Sequence, residues 1–272
     1  MADMNNRPEN VKRYKYLKTE HVRLRGFENE NIAKANIECR FLEEKNKRQH
    51  YLLKITQLRQ SNNKGMYGLS KDLQTLKSNI MVAVSEEGLI EAVLNMDEIK
   101  AKWQSIKNDT MKKHQSELYG TEAEEKITEL LEDDRQFVNS FTYLPPFVSI
   151  FSGFSTETKT EQHYREIPFF IAKNNMPVIL RTRNIVDTKI PNATQIIAEG
   201  KLDEENYEQP EVAEFVKTVR DNFRAKSDPQ LRYIERYAFC NSKLPSQTLC
   251  MSTITIPGFL QQNETSILKE VL

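Results

Sequence analysis

The chain has 272 residues, of which 38% are apolar and 29% charged, so it is long enough to bury a core. With 13 Phe and 10 Tyr it is too aromatic for a disordered polypeptide. The 39 Lys and Arg are balanced by 39 Asp and Glu, so the bulk charge indicates neither a nucleic-acid nor a membrane partner. Only eight Gly are present, and glycine-rich phosphate loops are not expected.

Residues 1–30 are interpreted as a basic N-terminal arm, within a segment 1–60 that carries 14 Lys and Arg against 8 Asp and Glu. In this arm Lys12 and Arg13 are interleaved with Tyr14 and Tyr16. Cations that contact phosphates beside rings that stack on bases are the nearest approach to a nucleic-acid signature. The same alternation suits an amphipathic edge strand. Because the whole chain has no net charge, nucleic-acid binding is not favoured, and the arm is expected to dock on this protein or on a partner protein.

The start of the chain has no apolar core of a signal peptide, and no run approaches the ~18 apolar residues of a membrane-spanning helix. We therefore expect a cytoplasmic protein with no membrane partner.

A hairpin is predicted in the segment "ANIECRFLEEKNKRQHYLLKITQL", where apolar residues alternate on both sides of the polar turn "EEKNKR". A helix is then predicted from Ser70 as N-cap, with Leu73, Leu76 and Ile80 at helical spacing. After Ile80 the apolar period changes from helical to the period of two that is typical of a strand.

The segment "VSEEGLIEAVLNMDEIKAKWQSIK" predicts a turn, a strand and a helix in succession. Asn95 is the predicted N-cap, and the acidic residues after it suit the positive end of the helix dipole. Ile99, Trp103 and Ile106 then share one helical face. We interpret Trp103 as the anchor that packs this helix onto the sheet, in preference to a stacking platform for a ligand.

One acidic helix is predicted over residues 121–141, with a capping box formed by Thr121 and Glu124. Its densest acidic run, Glu132, Asp133 and Asp134, could bind a divalent cation or a basic partner, and Glu129, Glu132 and Asp133 are candidate partner-binding residues. A solvated helix face is the simpler explanation, because successive residues of a helix point in different directions.

An aromatic patch with two prolines, "YLPPFVSIFSGF", follows the acidic helix. Core packing around the Pro145–Pro146 corner is the favoured interpretation. A pocket for an apolar ligand and an exposed interaction patch are the alternatives, and Phe147, Phe151 and Phe154 are kept as candidate partner-binding residues.

The C-terminal part is richer in strands. Strands are predicted in "IPFFIA", "MPVILRTRNIVD", "TQIIAEGKLD", "LRYIERYAFC", "QTLCMSTITI" and "ETSILKEVL", with one helix at about residues 210–225. Strands that follow one another without helices favour antiparallel pairing. The sequence thus predicts an α+β fold, a mostly antiparallel curved sheet or half-barrel with a helical block over about residues 70–142.

The domain boundaries proposed are an arm (1–30), an N-terminal α+β part (31–142) and a strand-rich C-terminal part (143–272). A break near residues 143–165 would divide two subdomains. Alternatively, both groups of strands join one curved sheet, and the helices form an insertion across one of its faces.

No nucleotide, nucleophile-elbow or zinc-protease motif is present. The four His are isolated, so local metal-ligand spacing is absent, and no catalytic, cofactor or metal residue is predicted. An enzyme would need a site assembled in space, for instance His163 with Glu161 or Glu166. Cys39, Cys240 and Cys250 are interpreted as buried free thiols, with a Cys240–Cys250 disulfide as the alternative.

The segment around Asn95 and Trp103 resembles one found in uncharacterised α+β proteins of Bacteroidota. The resemblance rests on Val84, Gly88, Ile90, Val93, Asn95, Glu98, Ile99, Trp103, Ile106 and Lys107. The acidic helix, aromatic segment and C-terminal strands that follow here have a similar order in those proteins. The resemblance implies an accessory role, such as an effector chaperone, adaptor or immunity protein of a bacterial secretion system, and transfers no catalytic residue.

Two functions are therefore predicted from the sequence. The first is a non-enzymatic protein that binds another protein, with a homo-oligomer also compatible with the sequence. The second is a small-molecule or lipid-binding half-barrel. A packed sheet with no cavity above about 300 Å³ would speak against this second function.

Overall fold

The structure is a computed structural model that describes residues 11–115, 123–154, 162–169, 176–186, 193–205, 229–240 and 242–271. The strands in these ranges are β1 (Val11–Leu24), β2 (Phe27–Lys45), β3 (Arg48–Gln60), β4 (Asn79–Val84), β5 (Ile90–Val93), β6 (Gln162–Ile167), β7 (Met176–Val186), β8 (Ala193–Leu202), β9 (Gln230–Cys240), β10 (Gln247–Ile256) and β11 (Leu260–Glu270). The helices are α1 (Gly65–Gln74), α2 (Met96–Lys113), α3 (Ala123–Glu132), α4 (Asp134–Thr142) and α5 (Phe147–Ile150), and a 3-10 turn, Thr75–Lys77, follows α1.

All the described strands belong to one antiparallel sheet in the order β5-β4-β3-β2-β1-β11-β10-β9-β8-β7-β6. The chain adds β2 to β5 on one side of β1, then continues to the far edge and returns strand by strand. The return ends at β11, which pairs with β1 from Tyr14–Glu270 to Leu24–Leu260. The strands before and after the helices thus join one sheet, as in the second of the two arrangements considered above.

The sheet curls so strongly that distant strands line the same space. Tyr51 of β3 and Thr194 of β8 both line a cavity of about 750 Å³, yet six strand spacings separate them in the sheet, about 29 Å if the sheet were flat. The edge strands β5 and β6 lie at opposite ends of the strand order, so the sheet is open. The predicted antiparallel curved sheet is confirmed.

The helical part is smaller than the α+β class implied, since the described chain is mostly sheet. The described helices lie between Gly65 and Ile150, and β4 and β5 interrupt them. The helix predicted at about residues 210–225 lies outside the described residues. None of the described helices combines the length and the apolar character required to cross a bilayer.

The segment interpreted as an arm corresponds in large part to the middle of the sheet. Residues 11–24 form β1, which pairs with β2 on one side and β11 on the other. Tyr14 and Tyr16 are buried on the inner face, whereas Arg13 and Lys15 are exposed on the outer face. The alternation of tyrosines and cations therefore reflects the two faces of a central strand, and neither an arm nor an edge strand describes it.

Strands β2 and β3 form the predicted hairpin, with a two-residue turn between them. Asn46 and Lys47 both have positive φ, 51° and 63°, as required by the type I′ turn that suits the right-handed twist of a hairpin. On the inner face, Ile37 and Cys39 of β2 lie beside Tyr51 and Leu53 of β3 and are buried with them.

The inner face carries two apolar cores. The N-terminal core joins the inner residues of β1 to β5, such as Ile37 and Leu53, to α2 to α5. The C-terminal core joins residues of β6 to β11, such as Leu180 and Phe239, to Phe154 and Phe169. Between them the inner face is polar: Lys18 of β1 forms an ion pair with Glu264 of β11 at 2.8 Å.

Asn95 begins α2 as predicted, but its side chain does not cap the helix backbone. Its Oδ1 accepts a hydrogen bond from the Met81 amide at 2.9 Å, and its Nδ2 donates to the Asn79 carbonyl at 3.2 Å. Asn95 therefore joins the start of α2 to β4. Trp103 is 1% exposed within the N-terminal core, as predicted, and its Nε1 donates to Thr128 Oγ1 of α3 at 3.1 Å.

Three predicted boundaries were wrong. The first helix begins at Gly65, so Ser70 lies inside it. The acidic segment forms two helices, because Asp133 leaves the helical conformation and caps α4, its Oδ1 accepting from the Arg135 and Gln136 amides; Thr121 of the expected capping box lies outside the described residues. Of the strand expected at "IPFFIA", Ile167 ends β6, Pro168 and Phe169 lie outside any strand, and residues 170–172 lie outside the described residues.

Candidate ligand-binding site

A mainly apolar cavity of about 400 Å³ lies between the sheet and the helices of the N-terminal half. We call it the apolar cavity. Its apolar lining comes from β3, α1 and the corner between α4 and α5: Ile55, Leu58, Leu69, Leu73, Phe141, Leu144, Pro145, Pro146 and Phe147. Its polar lining comes from the end of α1 and the turn after it: Ser70, Gln74, Thr75, Lys77 and Ser78.

The sheet wall depends on a β-bulge. Thr56 pairs with Asn36 and Arg59 with Lys34, so Gln57 and Leu58 together face the single residue Ala35. Gln57 takes a positive φ of 53°, and the extra residue shifts the alternation by one position. Leu58 therefore lines the same cavity as Ile55, although residues three positions apart lie on opposite faces of a regular strand.

The opposite wall is the corner at which α4 stops. Proline has no amide hydrogen and cannot continue a helix, so Pro145 and Pro146 end α4 and redirect the chain into α5. The rings of Phe141 and Phe147 pack across this corner with their centroids 4.6 Å apart. Both rings line the cavity, so part of the aromatic patch has the pocket-lining role that was one of its predicted alternatives.

The third wall, α1 with the turn that follows it, is joined to α2 at two places, at Lys102 and at the C-terminal end. Asp72 of α1 accepts hydrogen bonds from Lys113 at 2.6 Å and from His114 at 2.8 Å. Burial by itself would raise the pKa of Asp72, but these two hydrogen bonds outweigh it and hold the pKa below its usual value. Lys102 donates to the Thr75 carbonyl and, at 3.2 Å, to Ser78 Oγ. Polar contacts outside the cavity thus position the wall, and the lining itself is left mainly apolar.

Lys77 is the one titratable side chain among the described residues that line the apolar cavity. Its Nζ lies 5.2 Å from the centroid of the Phe141 ring. No hydrogen bond or ion pair joins Lys77 to any residue that the structure describes. The side chain is half-buried by its accessible area, because part of it borders the cavity, and protein surrounds it on the other sides. Burial lowers the pKa of Lys77 to about 8.

The 750 Å³ cavity differs in character from the apolar cavity. It lies where the β2–β3, β4–β5 and β9–β10 connections approach α5, and its lining includes the charged residues Glu44, Lys47, Glu86, Glu87 and Lys243. Its charges of both signs and its position among turns indicate a hydrated cleft at the end of the curled sheet.

A second cation on the inner side of the sheet, Arg165 of β6, lies in the C-terminal half and is fully buried. Its Nε donates to Glu235 Oε1 at 3.1 Å, and its Nη2 donates to the Ser152 carbonyl at 2.5 Å. The side chains of Arg165 and Glu235 are 3% and 0% exposed. Tyr233 and Tyr237 donate to the same carboxylate at 2.7 and 3.0 Å, so the charge pair is held by a hydrogen-bond network.

Half of the predicted partner-binding residues are buried. Tyr14, Tyr16, Phe147, Phe151 and Phe154 are between 1% and 6% exposed, so they cannot form a surface patch. The reason is the same for all five: each large ring lies on a face that packs in a core.

The charged residues predicted to bind a partner have mixed positions. Lys12 forms an ion pair with Glu270 at 2.8 Å, on the sheet. Arg13, Glu129, Glu132 and Asp133 are exposed, and of these Asp133 is the cap of α4. The structure does not gather the acidic residues and the two basic residues into one site.

The thiols and histidines form no reactive centre in the described part of the chain. All three Cys are free, so the Cys240–Cys250 disulfide is excluded, but Cys240 is exposed rather than buried. Burial raises the pKa of the Cys250 thiol to about 12, which keeps it protonated. Across the described ranges, no three His, Cys, Asp or Glu side chains come close enough to hold a metal ion.

The histidine considered for catalysis has no converging carboxylate on its own strand. His163 packs edge-on against Phe154 with ring centroids 4.9 Å apart. Glu166 is exposed on the same strand, and an odd separation along a strand places the two side chains on opposite faces. Glu161 lies outside the described residues.

The sequence contains a signal for each of the two inner cations, Lys77 and Arg165, although neither was predicted as a site residue. Lys77 follows Leu73 by four residues and so falls on the apolar face that predicted the helix. Glu235 takes an inner position between Tyr233 and Tyr237 in an alternating strand, and Arg165 does so between His163 and Ile167. A charge on the buried face of a periodic segment is the common signal.

No protein-family model and no curated protein sequence matches this chain. Among solved structures, one described as lipid-protein interactions in lipovitellin is similar over 98% of this chain, with 11% identity and a TM-score of 0.50. The chain spans 25% of the lipovitellin chain. A DUF1329 family protein from Desulfovibrio piger is matched over 97% of this chain and 88% of its own, with 7% identity and a TM-score of 0.19, which is too low to support any argument. The lipovitellin likeness shows a shared fold alone.

Proposed function

We propose that this protein binds a small apolar ligand of the lipid class between its curved sheet and the overlying helices. The observation that carries the proposal is the apolar cavity, whose volume of about 400 Å³ lies in the range of ligand pockets, about 300–1,000 Å³. Its mainly apolar lining with a few polar groups at one side is the composition that such pockets have.

The shared fold adds support. Lipovitellin has a similar sheet over nearly the whole of this chain, and its structure was described in terms of its interactions with lipid. An open, curled sheet can hold an apolar molecule because one face is already shielded from water by the curvature. The proposal includes no catalytic step.

The protein-binding interpretation receives less support. Five of its ten candidate residues are buried in the cores, and no family model and no curated protein matches the chain to support it. A protein partner, a homo-oligomer and a cytoplasmic location stay predictions from the sequence.

Binding of 1-decanol, measured by isothermal titration calorimetry, tests the proposal. Leu58→Trp would fill the apolar cavity from the bulged strand, while Leu52→Trp on the same strand is a matched control because Leu52 is half-buried and lines no described cavity. We expect the parent and Leu52→Trp to bind 1-decanol and Leu58→Trp to lose binding at least about tenfold, as an occupied cavity excludes the ligand.

Native mass spectrometry of the freshly purified protein supplies a second readout, in which a bound ligand adds a defined mass. The proposal is wrong if the parent protein binds neither 1-decanol nor decanoate and carries no ligand when purified.

A further inference from the structure

The charge inside the apolar cavity indicates which kind of amphiphile it accepts, and this inference rests on the function proposed above. Lys77 is the single described lining residue that can carry a charge. Moving an ammonium group from water into apolar surroundings is costly unless an anion pairs with it.

Other described cations at the inner face have such a partner. Lys18 lies 2.8 Å from Glu264, Arg165 lies 3.1 Å from Glu235, and Lys12 lies 2.8 Å from Glu270. Lys77 has only the face of the Phe141 ring, an attraction that is weaker than an ion pair in apolar surroundings. Lys77 is therefore a cation for which the described part of the fold supplies no anion.

We propose that the apolar cavity binds an amphiphile with one carboxylate headgroup and a single alkyl chain, and that the carboxylate pairs with Lys77. A singly charged headgroup matches one ammonium group, whereas a doubly charged phosphate monoester would leave a second charge unpaired inside the protein. The remaining lining supports the same arrangement, because it places the chain against Ile55, Leu58 and Leu73 of the sheet and α1 and against the rings of Phe141 and Phe147.

The cavity volume limits the chain length. A methylene group fills about the same space as a water molecule in the liquid, ~30 Å³. A cavity of about 400 Å³ therefore holds about 13 such groups, which leaves space for a chain of about ten carbons with its headgroup. A phospholipid with two long acyl chains exceeds this volume several times and does not fit.

Among the described lining residues, Lys77 alone contributes a charge to the apolar cavity. Sheet residues Ile55 and Leu58 and the α4–α5 corner contribute no ionisable side chain to the lining, and α1 with its following turn contributes Ser70, Gln74, Thr75 and Ser78. Burial lowers the pKa of Lys77 to about 8, so at pH 7 the amine is still mainly charged and can attract an anion.

The test compares decanoate with 1-decanol, which has the same chain length but no charge, by calorimetry at pH 7. The parent protein is expected to bind decanoate about tenfold more tightly, because a hydrogen bond to a charged partner is stronger than one between neutral groups. Lys77→Met should bind both ligands with affinities within about threefold of each other. Lys54→Met is the matched control, since Lys54 is exposed on β3 beside Ile55, and it should keep the parent's preference.

The preference for decanoate is also measured on the parent protein against decylammonium, so that the test does not depend on one variant folding. Decylammonium should bind more weakly than 1-decanol, because like charges repel in the cavity. A Lys77→Met protein that keeps the tenfold preference, or a parent protein that does not distinguish the three headgroups, overturns this inference and leaves the proposed function standing. A parent protein that binds none of the three ligands and carries no ligand when purified overturns both.

Discussion

Lys77 and Arg165 are two cations in the two halves of the molecule, and their surroundings differ: Lys77 is half-buried and Arg165 is buried. Arg165 lies in a packed interior, where Glu235 supplies the opposite charge and Ser152 and the rings of Tyr143 and Phe154 surround the guanidinium. Lys77 borders an empty apolar volume and has one aromatic neighbour.

The pKa shifts of the two groups follow from this difference. Burial by itself would lower the pKa of Arg165, but the Glu235 carboxylate outweighs burial and raises the pKa above its usual value. For Lys77 burial acts without a carboxylate nearby, and the pKa falls to about 8. A paired cation in a filled core stabilises one conformation, whereas an unpaired cation beside a cavity stores a cost that an anionic ligand can remove.

The largest expected effect on stability comes from breaking the Arg165–Glu235 ion pair. Glu235→Gln removes the charge that balances Arg165 and leaves a guanidinium buried without an anion, which should lower the free energy of unfolding by about 3–5 kcal/mol. Urea denaturation measures this as a lower midpoint with an unchanged slope.

The control for Glu235→Gln replaces both partners, as Arg165→Met with Glu235→Leu, and should recover most of the lost stability because no charge remains buried. A loss below about 1 kcal/mol for Glu235→Gln alone would mean that the pair is not needed to balance Arg165, and the contrast between the two cations would disappear.

Trp103→Ala tests whether the half that contains the cavity is otherwise well packed. Trp103 is 1% exposed in the N-terminal core, and its removal should cost about 3–5 kcal/mol because the large void cannot close. Trp103→Phe keeps most of the bulk but loses the hydrogen bond to Thr128, so it should cost less, about 1–2 kcal/mol. If Trp103→Ala unfolds at the same temperature as the parent, the N-terminal half is loose throughout and Lys77 is not specially placed.

Lys77→Met should stabilise the folded protein, whereas the preceding substitutions destabilise it. It replaces an unpaired ammonium by an apolar side chain of similar length, and the free energy of unfolding at pH 7 should rise by about 1–3 kcal/mol without ligand. Lys54→Met, on the outer face, should change stability by no more than about 0.5 kcal/mol. A destabilised Lys77→Met protein would show that Lys77 has a stabilising partner in the folded state.

The smallest expected effect is the pH dependence of the stability that Lys77→Met gains over the parent. The folded protein releases the Lys77 proton near pH 8, and the unfolded chain does so near the ordinary value of 10.5. Below pH 8 both states carry the charge and its cost is fully present. Between pH 8 and 10.5 the unfolded state binds more protons, so the parent gains stability from this residue as the pH rises. The advantage of Lys77→Met over the parent should therefore shrink between pH 8 and pH 10, in denaturation curves of both proteins. An advantage that is constant across this range would contradict a lowered pKa.

The sequence was most informative where a structure depends on neighbouring residues. The alternation in β2 and β3 identified inner residues such as Ile37 and Leu53, because side chains of a strand point alternately to its two faces. Asn95 marked the change from β5 to α2 because short polar residues are common at the start of a helix, although its side chain bonds to β4 and does not cap α2. The break at Asp133 was missed because the apolar spacing continues through it, and only the backbone of the folded chain shows the new cap.

Some features depended on residues far apart in the chain and could not be read from local patterns. Residues 11–24 looked like an arm because the partner that makes them a central strand, β11, lies about 250 residues away. The apolar cavity likewise needs β3, α1 and the Pro145–Pro146 corner to meet in space, and a bulge at Gln57 that redirects Leu58. The pairing of Arg165 with Glu235 also depends on the tertiary structure, because the two residues are 70 positions apart in the chain.

By itself the sequence therefore determined most of the antiparallel strands, with β1 as the exception, and the burial of Trp103, because side-chain periodicity acts over a few residues. The tertiary structure alone decided the strand order, the curl of the sheet and the apolar cavity with Lys77, because each of these depends on which distant surfaces pack together and which space they leave unfilled.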